Sequence, residues 1–251
     1  MNLRVTPLEG VPTVKPGDNL AKLCQTSLLQ SNIELQDGDI LVLAQKIVSK
    51  AENRFRKLAD VTISKHALDL EQKSGKDPAL IQLILDESLE ILRVREGLIV
   101  VEHKLGFVCA NAGIDQSNVD REEGWVLLLP ENPDRSAAEI RAELRESTGA
   151  RFGILIIDSH GRAWRNGVAG IAIGLSGMPA LVDQRGLPDR SGRSLGITTV
   201  GVADELAAAA SLMMGQANEG TPIVHVRGFP YPLREGSLTE LLREKQDDLF
   251  R

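Results

Sequence analysis

Residues Arg151–Arg165, RFGILIIDSHGRAWR, join an apolar run, Phe152 to Ile157, to the polar cluster Asp158, Ser159, His160, Gly161 and Arg162. An isoleucine-rich run with no internal polar residue reads as a strand buried on both faces. In layered sheets, ligands collect beyond the carboxyl ends of such strands. Asp158 would then stand on a functional rim. An acid beside a hydroxyl, with a glycine that admits close backbone approach and an arginine suited to phosphate, makes a corner for a metal and a phosphate. Asp, Ser and Gly are also ordinary turn formers, and taken alone the cluster reads at least as well as a strand-terminating turn.

A second acidic corner lies upstream. Val108–Val119, VCANAGIDQSNV, passes from a short apolar strand through small residues to Asp115, Ser117 and Asn118. These are compact oxygen and amide groups of the kind that magnesium and manganese take, usually one or two carboxylates completed by substrate phosphate and water. Two separated carboxylates could share one metal. An Asx turn at Asp115 and a cap at Asn118 are the plain alternatives.

Composition narrows the classes. The chain has 251 residues, 42% hydrophobic and 25% charged, which suits one large or two modest globular domains with a sizeable core. Aromatics are 3%, so that core is aliphatic and alanine-rich. The net charge of −6 argues against nucleic-acid binding through the whole surface. Cys24 and Cys109 are too few for a disulfide framework or a metal quartet and read as reduced core thiols, which fits a cytoplasmic protein. The N-terminus lacks a signal-peptide core, and no apolar run reaches membrane-spanning length.

Along the chain, Asp18 or Asn19 is placed to cap a helix over Leu20–Leu29, after a tight loop at Val11–Val14. Ile40–Leu43 reads as a buried strand that delivers Gln45, Lys46, Ser49 and Lys50 just past its end, where a lysine can reach a phosphate or simply be solvated. Asp77–Pro78 opens a helix whose stripe runs from Leu80 to Leu89 and Leu92. Leu98–Val101 and Phe107–Ala110 pattern as a hairpin, and Trp125–Leu129 as another strand. Ser136 with Glu139, and Ser237 with Glu240, have the spacing of capping boxes that open two further helices, the first stopping at Gly149. Val168–Leu181, VAGIAIGLSGMPAL, has glycines that match neither a dinucleotide nor a Walker fingerprint and read as close packing. Ile197–Val202 and Pro222–Val226 read as strands on either side of an apolar helix, Asp204–Met214, that stops at Gly215. Between Arg162 and Arg193 there are five arginines and no lysine, a stretch suited to a multiply anionic ligand or to a solvated loop.

Six ordered blocks then carry a resemblance: LEGVPTV (Leu8–Val14), IVSKAENR (Ile47–Arg54), NAGIDQSNV (Asn111–Val119), LIIDSHGRAWRNGVAGIAIG (Leu155–Gly174), VADELAAAASLMMGQ (Val202–Gln216) and VHVRG (Val224–Gly228). Together they resemble the coenzyme F420-0:L-glutamate ligase family nearly end to end. The resemblance implies an α+β fold of mixed sheets with flanking helices, a two-lobed monomer without a clean boundary across 1–251, and an intertwined homodimer with the nucleotide in a groove at its interface. No C-terminal nitroreductase-like domain is expected here. The implied activity is addition of L-glutamate to the deazaflavin coenzyme precursor through an acyl phosphate, with GTP as co-substrate. Magnesium or manganese, two ions per site, and a monovalent cation such as potassium are the implied cofactors.

The family pattern carries metal roles onto Asp115, Asp158, Ser159 (where threonine is more usual) and Gln216, with Asp158 also catalytic. Nucleotide contacts fall on Val11, Pro12, Thr13, Val14, Gln45, Lys46, Lys50, Asn118 and the loop Met214, Gly215, Gln216, Ala217, Asn218, Glu219, Gly220 and Thr221. Arg162, Arg165 and Arg193 are expected to bind the anionic substrate. His160 stands where the pattern more often has asparagine or an aromatic, and it is assigned no chemistry. A metal-dependent phosphohydrolase and a non-catalytic deazaflavin-binding subunit are the competing classes. Neither a nucleic acid nor a membrane is expected as a partner.

Overall fold

The computed structural model describes residues 2–117, 119 and 123–249. In chain order the elements are β1 (Arg4–Pro7), α1 (Leu20–Gln30), β2 (Ile40–Ala44), α2 (Gln45–Ala51), β3 (Phe55–Lys57), α3 (Lys65–Ser74) and α4 (Pro78–Asp86). Then come β4 (Ser88–Arg95), β5 (Leu98–His103), β6 (Val108–Ala110), β7 (Trp125–Leu127), α5 (Pro133–Thr148), β8 (Gly153–Arg162) and β9 (Arg165–Ser176). The chain closes with β10 (Val182–Asp183), β11 (Thr199–Val200), α6 (Val202–Met214) and β12 (Ile223–Arg227).

The central sheet has the order β1-β12-β2-β8-β9, with β2 and β8 parallel and every other pair antiparallel. Its strands are apolar at successive positions because both faces are covered. Leu41, Leu43, Ile154 and Ile156 enter one core, beneath α1 and α5, while Ile40, Val42, Leu155 and Ile157 enter the other, beneath α6. Each such side chain contributes roughly 1.5–3 kcal/mol on burial. The long excursion from β2 to β8 carries α2 to α5, the sheet β4-β5-β6 and the ribbon β3-β7.

The hairpin β8-β9 alters the sequence reading. Asp158 does not follow a strand end: β8 runs on to Arg162, with Asp158 opposite Ile171, Ser159 opposite Gly170 and His160 opposite Ala169. An antiparallel partner that keeps supplying ladder bonds overrides the turn tendency of Asp-Ser-His-Gly. The glycine-interrupted segment is β9 itself. A bulge between the Ile156 and Ile157 rungs turns Gly174 toward α5 and Gly170 toward α6. A Cβ on Gly174 would stand 2.3 Å from Pro133 Cβ, and one on Gly170 2.5 Å from the Ala207 carbonyl oxygen. Close packing is what these glycines provide.

Other boundaries move for local reasons. Helix α4 stops at Asp86, where Ser88 Oγ donates to the Ile84 carbonyl, so Leu89 and Leu92 belong to β4. Helix α5 starts three residues before Ser136: Asn132 caps it by accepting from Arg135 N–H, with Pro133 in the first turn. Ser136 Oγ instead donates to Glu52 and to the Asn132 carbonyl. Ser237 and Glu240 open no α-helix. Leu238–Leu241 is a 3-10 turn without a side-chain cap, and Glu240 is taken up by Arg234. The expected strand Ile197–Val202 shrinks to Thr199–Val200, and α6 begins at Val202. The hairpin at Leu98–Ala110 and the helix capped by Asn19 form as read. Both cysteines are buried free thiols. Among the described residues no helix is long and apolar enough to cross a membrane.

Candidate functional site

Parallel register puts Ala44 opposite Ile157, so the chain leaves β2 at Gln45 on the level where β8 presents Asp158. The loop before α1 and the loop after α6 reach the same end of the sheet, the latter tied down by Ala44 N–H donating to the Pro222 carbonyl at 2.9 Å. These segments enclose a cavity of about 340 Å³. It is lined by Val11, Pro12, Thr13, Val14, Gln45, Lys46, Lys50, Asp158 and Ser159, by Met214 through Thr221, and by Ala44, Ile47, Ile157, Ser211 and Pro222. Every described residue that the family pattern assigns to the nucleotide is among them. Asn118 lies outside the described residues.

Asp115 reaches this rim from a different segment. Its N–H and carbonyl exchange bonds with Leu127, which fixes its backbone beside β7. Gln45 Nε2 donates to its Oδ2 at 2.7 Å, and Lys46 Nζ lies 3.3 Å from its Oδ1. Gln45 is held in turn by Ser49 Oγ, which donates to Oε1 at 2.9 Å. Burial pushes the Asp115 carboxyl up to about 6, the negative charge of Asp158 adds to the rise, and Lys46 opposes it. The field of Asp158 therefore reaches Asp115, although 43 positions separate them in the chain.

On the α6 side, Ser159 Oγ donates to Gln216 Oε1 at 2.9 Å, and Gln216 Nε2 donates to Ser211 Oγ at 3.0 Å. Gly215, with φ +72°, turns the chain out of α6. The Glu219 carboxylate folds under that turn and accepts from Ala217 N–H at 2.8 Å, a bond that lowers its pKa. Thr221 Oγ1 donates to the Met213 and Met214 carbonyls. The loop is thus braced by its own polar side chains.

Among the described residues no three His, Cys, Asp or Glu side chains cluster as a metal site. The arrangement is a carboxylate, a hydroxyl and an amide oxygen lining the cavity, with a second carboxylate, Asp115, bonded to the lining residues Gln45 and Lys46. That donor set suits magnesium or manganese completed by substrate phosphates rather than a protein-only cage. The charge of Asp158 adds to burial in disfavouring ionised Asp115, an effect that a bound cation would relieve.

The three arginines are not brought to this cavity. Arg162 and Arg165 flank the exposed tip of the β8-β9 hairpin, and Arg193 pairs with Asp189 at 3.2 Å in a surface loop. Sequence reasoning also missed Ser211, hidden in an apolar helix, and His160, whose Nε2 stands 2.9 Å from Asp158 Oδ2. Polar residues inside buried elements are the available signal for both.

The family model for F420-0:gamma-glutamyl ligase matches residues 10–228. A coenzyme F420:L-glutamate ligase of Methanothermobacter thermautotrophicus is 47% identical over 253 aligned positions, covering 100% of both chains. Those of Methanopyrus kandleri and Archaeoglobus fulgidus are 45% and 43% identical, covering 99% and 100% of this chain and 98% and 97% of their own. On that match, which runs through the β2 and β8 rims and the loop after α6, the chain belongs to the F420-0:gamma-glutamyl ligase family.

Proposed function

We propose that this protein forms an amide bond between L-glutamate and the deazaflavin precursor F420-0, with GTP as co-substrate. The observation that carries the reading is the meeting of Asp158, Ser159 and the Gln216 loop at one cavity, with Asp115 bonded to the lining residues Gln45 and Lys46. The names borne by end-to-end relatives support the two substrates.

A free carboxylate does not exchange its oxygen for an amine unaided. Transfer of the GTP γ-phosphoryl group onto the terminal carboxylate of the precursor yields GDP and an acyl phosphate. The glutamate amine then attacks that carbonyl, the C–O bond to phosphate breaks, and inorganic phosphate leaves. The chain's task is positioning and charge neutralisation. Val11–Val14 and Met214–Thr221 grip the nucleotide, Lys46 and Lys50 face its phosphates, and Val14, Ile47 and Ile157 keep water from the acyl phosphate. Asp115, Asp158, Ser159 and Gln216 would hold two divalent cations, whose chemistry is to neutralise charge at the transferring phosphoryl group. No side chain forms a covalent intermediate.

A homodimer goes with this reading. Trp164, 88% exposed between Arg162 and Arg165, and Leu212, 85% exposed on α6, supply apolar surface for a second copy to bury. Light scattering on the eluted protein checks it, with a monomer mass as the contrary result.

The decisive experiment incubates the protein with precursor, GTP, glutamate and magnesium and reads the product by mass spectrometry. A mass gain of one glutamyl residue with matching GDP supports the ligase. GTP hydrolysis that proceeds equally without glutamate and precursor would make it a phosphohydrolase.

A further inference from the structure

Behind Asp158 stands a buried histidine that the proposed reaction leaves without a part. His160 lies two residues along β8, on the same face as Asp158, and its side chain is 6% exposed. Its Nε2 is 2.9 Å from Asp158 Oδ2, yet neither ring nitrogen makes a hydrogen bond among the described residues. The carboxylate oxygen therefore sits close to the ring but off the axis of its N–H. Phe107 packs against the imidazole at 5.3 Å between ring centroids, tilted 59°. Phe107 is itself stacked on His103 at 5.3 Å and 9°, and His103 Nδ1 accepts the Leu105 N–H at 3.0 Å. The His160 ring is thus wedged in a fixed aromatic stack with its edge against Asp158.

An imidazole buried without hydrogen bonds is destabilising, and such a group in a native protein calls for an explanation in strain, in chemistry or in a bound water or ion. Catalytic hydrogen bonds are often misaligned in a ligand-free structure and tighten in the complex. The carboxylate has two oxygens, and a small rotation about its terminal torsion would bring Oδ2 onto the His160 N–H while turning Oδ1 to the cavity.

We propose that His160 is a positioning residue: from the buried side it holds Oδ2 of Asp158 so that Oδ1 faces the cavity and its cation. This rests on the reading above that Asp158 is a cation ligand. Partners that hydrogen-bond a ligating group typically shift metal affinity by 10–100-fold.

The test uses the full chain and its His160→Phe, His160→Gln and His160→Asn variants. Mn²⁺ binding is followed by electron paramagnetic resonance of the free ion, with GTP present and precursor and glutamate absent. His160→Phe, which keeps a ring in the stack without a donor, is expected to weaken Mn²⁺ binding by about ten-fold at an unchanged melting temperature. His160→Gln, whose amide reaches the position of Nε2, is expected to recover most of that loss, and the shorter His160→Asn is not. In turnover, the Mn²⁺ concentration for half-activation should rise with the binding loss, while kcat at saturating Mn²⁺ moves by less than about three-fold.

Unaltered Mn²⁺ binding by folded His160→Phe overturns the proposal. If His160→Phe does not fold, the Gln and Asn variants decide, and equal binding by those two overturns it. A wild-type protein that binds no Mn²⁺ with GTP sinks the reading of the site and this inference with it. Normal wild-type binding with indifferent variants sinks this inference alone.

Discussion

Strand β2 begins beside one aspartate–histidine contact and ends beside another, and the two differ in how completely their groups are paired. At its start, Asp39 is 1% exposed and accepts from His225 Nε2 at 2.9 Å, from Arg227 Nε and Nη2 at 2.9 and 2.7 Å, and from Gln36 N–H at 2.9 Å. Burial is the largest single influence and raises that carboxyl, but the bonds from Arg227, His225 and Gln36 together outweigh it and hold it down to about 2. At the far end, Asp158 touches a histidine at the same 2.9 Å without an aligned bond, and Asp115 is pushed up to about 6. At one end the carboxylate is fully bonded and, among the described residues, only His225 Nδ1 lacks a partner, whereas at the other both ring nitrogens of His160 do. Completed networks hold a fold together, whereas strained and perturbed groups collect where ligands bind.

The contrast is broken most directly at Asp158. Asp158→Asn should cut glutamate incorporation by about a thousand-fold and move the melting temperature little, as read by mass spectrometry and circular dichroism. Retention of near-normal turnover would erase the distinction between the two ends. The reverse pattern is expected at Asp39. Asp39→Ala leaves the Arg227 guanidinium without its counter-charge and His225 Nε2 without its partner, and should cost about 3 kcal/mol in urea unfolding, with activity per folded molecule unchanged.

Acid titration of the ligand-free protein sharpens the comparison because the two aspartates act with opposite sign. Asp39 has a folded pKa below the unfolded 3.8, so its stabilisation is present above pH 3.8 and is lost as pH falls from there toward 2. Asp115 has a folded pKa above 3.8, so its own contribution is most favourable below pH 3.8 and declines as pH rises toward 6. Asp115→Asn should abolish that decline and raise metal-free stability at pH 7 by about 2 kcal/mol. An unfolding free energy that is flat between pH 4 and 6 in the wild type would contradict the assignment. The smallest effect concerns packing shared by both ends: Gly174→Ala forces a Cβ against Pro133 and should cost about 1–2 kcal/mol, measured by thermal melting, without altering nucleotide binding.

Much of the frame was legible in the chain. The unbroken apolar runs at Ile40–Leu43 and Phe152–Ile157 announce central strands, and Asn19, Asp77 and Gly149 mark helix ends. Misreadings arose where two local signals competed. Asn132-Pro133 outranks Ser136 as a helix start, and ladder bonds from β9 outrank the turn residues after Asp158. Within the site, Asp115 and Asp158 could be singled out by type and by resemblance, but the field of Asp158 at Asp115 depends on long-range pairing that no local pattern encodes. His160 was illegible for the same reason. Its setting is made by Phe107, in the turn between β5 and β6, and nothing within its own segment records that neighbour.

The register that sets Ala44 beside Ile157 has a kinetic consequence. These partners are more than a hundred residues apart, and the excursion between them must find its place before that rung can close. Long-range parallel pairing is slow because loop entropy is surrendered before contacts return it. Gln45 and Asp158 are therefore brought level only when most of the chain is in place, so affinity for a ligand of this cavity should emerge last during refolding, and a newly made molecule would gain its chemistry and its finished topology in the same step.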